Sequence, residues 1–160
     1  MKTIRLILTL AGCALIGALA YAHDKSAPLN AEQKAFLSQY EAVRAALAAD
    51  DLAATKKAAG AIITESKTPP AEPLTPEQKD RQEKFAATVK KIATAGSLKS
   101  ARAEFKVLSK RAVHYAEGKE GYFVANCPMV EGGEGDWVQT SKTINNPYFG
   151  KSMLSCGSVK

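Results

Sequence analysis

The stretch SLKSARAEFKVLSKRAVHYAEG, Ser97 to Gly118, decides how this chain folds. Leu98, Ala101, Phe105, Leu108, Ala112 and Tyr115 recur at intervals of three and four, the spacing that gathers side chains on one face of an α-helix. Ser97 stands where an N-cap belongs, and Gly118 follows the last periodic residue as a left-handed C-terminal cap. The remaining face is polar. A helix with a single apolar stripe must bury that stripe against other elements, so the neighbouring segments have to supply matching faces.

They do. Upstream, Thr75 with Pro76 at the first helical position and Gln78 three residues on opens a helix whose stripe is Phe85, Val89 and Ile92. Asn30 with Gln33 forms a capping-box signature ahead of Phe36, Tyr40, Val43 and Leu47. Asp50-Asp51 interrupts that helix and can cap a second one carrying Leu52, Ala59, Ile62 and Ile63. Between the two hairpins, Lys67 to Pro76 holds Pro69, Pro70, Pro73 and Pro76, which no helix interior tolerates. The expected fold class is mainly α, an up-down four-helix bundle over residues 30–118.

After the bundle the chain changes character. Tyr122-Phe123-Val124-Ala125 is strand-like, and glycines 132, 133 and 135 make a loop. Trp137-Val138 reads as a second short strand, Asn145-Asn146-Pro147 as a turn, and Ser152 to Ser155 as one helical turn. Residues 119–160 are therefore expected to form a small irregular α+β cap, so that 23–160 is a single domain.

The whole chain of 160 residues is 46% hydrophobic and 24% charged with a formal net charge of +6, which excludes a disordered tail and a multi-pass membrane protein. Its basic and acidic residues are interleaved, with no block that would track phosphates, so no nucleic-acid partner is expected. Residues 1–22 read as an export signal: Lys2 and Arg5, the apolar run Leu6 to Ala20, then Ala20-Tyr21-Ala22 as the cleavage motif. A competing reading takes Leu10-Ala11-Gly12-Cys13 as a lipobox with Cys13 as the anchor, although the apolar run continues past Cys13. Both place the folded part outside the cytoplasm, in a bacterial periplasm, with no membrane span in the mature form.

Cleavage after Ala22 leaves four sulfur atoms, all in the cap: Cys127, Met129, Met153 and Cys156. In an extended segment Cys127 and Met129 share a side; in a helical turn Met153 and Cys156 share a face. Each segment thus presents a thiol and a thioether in one direction, and if the faces meet they form a pocket for a soft monovalent ion, Cu(I) or Ag(I). The alternative is a structural disulfide between the two cysteines, the usual state of a cysteine pair in an oxidising compartment.

The cap also carries a resemblance. Tyr122 to Met129, Trp137, and Asn146 to Gly157 form a C-P-M … N-P-Y-F-G-x-x-M-x-x-C-G pattern. It resembles a bacterial periplasmic domain family of unknown function, found alone or fused to CusB-like membrane-fusion subunits of heavy-metal efflux pumps. The helical part is similar only through Leu47 to Leu52 and Phe105 to Ser109, and Val138-Gln139 departs from the family's usual Leu-Ser. The resemblance implies a heavy-metal context, with Cys127, Met129, Met153 and Cys156 as the ligands and a CusB-like adaptor or another copper-handling protein as partner.

Weaker candidates surround this set. His114, in the last turn of the fourth helix, can supply a nitrogen ligand, or simply interact favourably with the helix C-terminus. Trp137 can cover an ion with its π face or pack in the core. His23 becomes the N-terminus after cleavage, and Glu131, Glu134 and Asp136 lack the spacing of a calcium loop. The chain has no G-x-S-x-G, H-E-x-x-H, C-x-x-C or C-x-x-C-H motif, so a non-enzyme is expected. Two functions remain: a Cu(I)/Ag(I) buffer or chaperone for an efflux system, or a structural module stapled by a Cys127–Cys156 disulfide.

Overall fold

Capping decides where each helix begins. In the computed structural model, which describes residues 27–65, 73–133 and 135–160, the Asn30 side chain accepts from the Gln33 amide at 2.8 Å while Gln33 Oε1 accepts from the Asn30 amide at 3.0 Å. This starts α1, Ala31–Ala48. The helix ends where Asp50 takes a φ of +60°, a left-handed conformation that aspartate tolerates better than most residues. Asp51 then caps α2, Leu52–Glu65, by accepting the Ala54 amide at 2.8 Å. Thr75 and Ser97, the caps expected from the sequence, open α3, Pro76–Ala93, and α4, Leu98–Ala116, with Gln78 and, unexpectedly, Ser100 as their reciprocal partners. Gly118 closes α4 with a φ of +75°.

Each helix packs on the next, and α4 closes against α1, giving the up-down bundle. Tyr40, Val43 and Leu47 from α1, Ala59 and Ile62 from α2, Val89 and Ile92 from α3, and Ala101, Phe105, Leu108 and Ala112 from α4 are all buried in one core. Tyr40 stacks on Phe105 with centroids 5.3 Å apart. A second aromatic group at the side of the bundle joins Phe36, Phe85 and Tyr115, with the Arg111 guanidinium 4.1 Å from the centre of the Phe85 ring.

The cap is a three-stranded antiparallel sheet in the order β2-β1-β3, formed by β1 (Phe123–Asn126), β2 (Asp136–Gln139) and β3 (Ser158–Val159). The sheet lays β2 on α4, and the aromatic row continues across the junction: Phe105 meets Tyr148 edge-on at 5.7 Å, and Tyr148 meets Trp137 at 6.1 Å. The Tyr40 hydroxyl bonds Ser109 Oγ at 2.9 Å and accepts the Val138 amide at 3.1 Å. Bundle and cap thus share one core.

Two local expectations are corrected. The helical turn read at Ser152 to Ser155 lies earlier, as a 3-10 turn over Gly150–Ser152, because Gly150 at a φ of +57° donates back to the Asn146 carbonyl and accepts from Met153. The sheet also has a third strand, β3, which two exposed residues do not announce. Among the described residues no helix is long and apolar enough to cross a membrane. The export signal with its Cys13 alternative, His23, Pro69, Pro70 and Glu134 lie outside the described residues.

Candidate functional site

Strand register brings the two cysteines together. β1 pairs with β3 so that Ala125 faces Val159 and Asn126 faces Ser158. Continued outward, that antiparallel register sets residue 127 opposite residue 157, one position from Cys156. The Sγ atoms of Cys127 and Cys156 are 2.7 Å apart with no bond joining them, a separation well inside van der Waals contact and closer to the ~2.05 Å of a disulfide than to two independent thiols.

Each thiol is held by its backbone. The Cys127 amide donates to the Gly135 carbonyl at 3.1 Å, and the Cys127 carbonyl accepts from Val130 at 3.4 Å. A side chain on Gly135 would run into the Cys127 carbonyl oxygen, so only glycine lets the loop lie this close. On the other side the Cys156 amide donates to Met153 O at 3.0 Å, and Asn146 Nδ2 donates to Cys156 O at 2.8 Å. Gly157, at a φ of +127°, rests against Asn126 O and the Trp137 indole. Cys127 is fully buried, whereas Cys156 is partly open to solvent. The hydrogen bond with Cys127, then burial, then the proximity of a second thiolate raise the Cys156 thiol above its ordinary pKa. Beside Cys127, Cys156 therefore gives up its proton less readily than an isolated thiol.

The methionines are placed differently from the thiols. Strand β1 ends at Asn126, and residues 127–130 form a turn rather than an extended segment. The alternation that was to carry Met129 to the side of Cys127 is therefore lost: Cys127 is 0% exposed and Met129 is 63% exposed. Met153 follows the 3-10 turn, is half-buried, and is joined to Cys156 by the turn hydrogen bond already described. His114 lies exposed on α4, tilted against Tyr115 at 5.7 Å. Trp137 is a core residue, fully buried and donating to Gln139 Oε1 at 2.9 Å. Asp136 binds Asn126 Nδ2 and Lys160 Nζ, each at 2.7 Å. Among the described residues no three His, Cys, Asp or Glu side chains are grouped to hold a metal ion.

Sequence reasoning missed the polar residues that anchor the Cys156 loop. Asn146 is fully buried. Arg44 Nη1 donates to Asn145 O, and Arg102 Nε donates to Pro147 O, both at 2.8 Å. Arg102 also grips Leu47 O at 2.8 Å and Asp50 Oδ1 at 2.5 Å, while Asp50 Oδ2 accepts the Lys151 amide at 3.0 Å. The Arg102 hydrogen bond, with that of the Lys151 amide behind it, holds the Asp50 carboxyl below the usual carboxylate range. The signals in the sequence were the Asn145-Asn146-Pro147 turn, the place of Asn146 at the head of the N-P-Y-F-G pattern, and Asp50 inside the similar stretch Leu47 to Leu52; hydropathy gives no reason to bury an arginine or an asparagine.

Fold and site together define a four-helix bundle that carries a paired dithiol on a small sheet. The sequence profile of a protein family of unknown function, DUF3347, matches residues 36–120, more than half of the chain. The chain belongs to that family. The match runs from within α1 past the end of α4 and stops before β1, so all four sulfur residues of the cap lie beyond it. No curated protein and no solved structure matches the chain.

Proposed function

We propose that this protein is an exported, non-catalytic binder of Cu(I) or Ag(I), acting as a buffer or chaperone for a heavy-metal efflux system with a CusB-like adaptor. The supporting observation is the convergence of two cysteine sulfurs, from positions 29 residues apart, to 2.7 Å with no bond joining them. Soft thiolates select monovalent copper and silver over harder ions. Cys127 and Cys156 supply the affinity. Cys156, partly open, is the thiol through which the ion enters and leaves. Met153, joined to Cys156 by its turn, serves as an auxiliary donor, while Met129, exposed and off the side of Cys127, is placed to hand the ion to a partner. The resemblance of the cap to periplasmic domains fused to efflux adaptors points to the same context.

The structural reading also has an observation in its favour. Two thiolates on one metal stand roughly 3.8–4.6 Å apart when each metal–sulfur bond is about 2.3 Å, wider than the separation in this structure. A disulfide needs the opposite movement, to about 2.05 Å. A count of free thiols on protein isolated from the periplasm, followed by Cu(I) competition against a moderate chelator after reduction, separates the two. One Cu(I) per chain, lost in Cys156→Ser, is the expected result. A pair that stays bridged in the cell, or reduced protein that takes up no Cu(I), overturns the metal-binding proposal.

A further inference from the structure

Cys156 lies in a loop with little regular structure, yet its sulfur is within 2.7 Å of Cys127. Strand register brings the two segments together, and Asn146 adds a direct hold on Cys156. Its side chain is fully buried and uses both ends: Oδ1 accepts the Tyr148 and Phe149 amides at 2.8 and 3.3 Å, and Nδ2 donates to the Cys156 carbonyl at 2.8 Å. Its backbone is used as well, donating to Leu154 O at 2.8 Å and accepting from Gly150 at 3.1 Å. The carbonyls on either side of it, Asn145 O and Pro147 O, are held by Arg44 of α1 and Arg102 of α4. Arg102 is fixed in turn by Leu47 O and Asp50 at the α1–α2 turn.

We infer that Asn146 is a positioning residue for the dithiol, transmitting the placement of the helical bundle to Cys156 through its Nδ2 hydrogen bond and so setting the effective concentration of the two thiols for each other. The inference rests on the reading that Cys127 and Cys156 work as a pair, but it does not require that the pair binds metal. The geometry ranks the contacts. The Oδ1 bonds shape the turn, whereas the Nδ2 bond alone reaches the cysteine. Asn146→Asp keeps an acceptor for the Tyr148 and Phe149 amides and replaces the donor facing Cys156 O by an oxygen.

The test is the equilibrium of the purified protein with glutathione in metal-free buffer. Oxidised glutathione takes two electrons and two protons from the paired thiols, leaving one protein S–S bond and two molecules of glutathione. The equilibrium constant for closing the bridge should fall about tenfold in Asn146→Asp, the ratio expected for one buried hydrogen bond. Arg102→Lys, which keeps a positive charge beside Asp50 but not the bond to Pro147 O, should lower it in the same direction by less. A residue that only supports the fold stabilises the dithiol and disulfide forms equally and leaves this constant unchanged. Variants that match the parent while the parent bridges reversibly overturn the positioning role alone. A parent that forms no intramolecular bridge at any glutathione ratio overturns the pair reading along with it. If Asn146→Asp does not fold, Arg102→Lys decides the matter by the same measurement.

Discussion

Replacing Gly150 by alanine should loosen the attachment of the Cys156 loop to the bundle, and the structure allows its cost to be split into two parts. Gly150 has a φ of +57°, and a Cβ there would overlap Asp50 Oδ1 and the Arg102 guanidinium. The backbone part, an L-residue in the left-handed region, is about 1–2 kcal/mol. The second part is the displaced Arg102–Asp50 contact, a charge-assisted hydrogen bond worth about 1.5–3 kcal/mol. Gly118 provides the control, since its φ of +75° carries the same backbone penalty while a Cβ there meets nothing within 4 Å. Gly118→Ala should therefore cost about 1–2 kcal/mol and Gly150→Ala about 2.5–5 kcal/mol. Urea denaturation followed by far-UV circular dichroism measures both, with the slope unchanged in each. Repeating Gly150→Ala in an Asp50→Ala background should lower its cost, because the obstructing carboxylate is gone, while the Arg102 guanidinium still against the new Cβ keeps it above that of Gly118→Ala. Equal costs for the two single variants would refute the view that Gly150 is required by the ion pair lying against it.

Three further outcomes follow from the same contacts. Tyr40→Phe should cost about 1–3 kcal/mol, because it leaves the buried Val138 amide without its acceptor, and hydrogen exchange at Val138 should quicken more than elsewhere in the sheet. The Asp50 carboxyl is held below its ordinary range in the folded protein, so its contribution is present above the unfolded value of about 3.9 and is lost as pH falls through the lower folded value. Acid titration of Asp50→Asn should accordingly show a flatter decline below about pH 4 than the parent. On the proposed metal-binding reading, the raised Cys156 thiol must lose its proton to become a ligand, so Cu(I) affinity should climb as pH rises through the range in which Cys156 ionises; an affinity independent of pH there would contradict ligation by the Cys156 thiolate.

What could be read from the sequence was local. Asn30 with Gln33, Thr75 with Gln78, and Ser97 announce helix starts because a cap and its partner lie within one turn of chain, and the apolar spacing of each helix names its buried face. The cap resisted reading where placement depends on distant partners. Asp50, Arg102 and Asn146 are polar residues whose burial or pairing follows from tertiary contacts of the loop, not from their neighbours in sequence. Period-two alternation places Met129 on the side of Cys127 only if extended backbone continues past Asn126; the Val130 bond to the Cys127 carbonyl ends the strand one residue too early. Strand β3 is too short to have a pattern, yet its register is what brings Cys156 to Cys127.

The chain has one tryptophan, and it sits beneath Gly157, the residue next to Cys156. Indole emission from Trp137 consequently originates beside the paired sulfurs, and thiols, disulfides and bound copper quench such emission to different degrees. The molecule carries its own optical gauge, so closure of the cysteine pair, or uptake of the proposed ion, should register in real time on unlabelled protein.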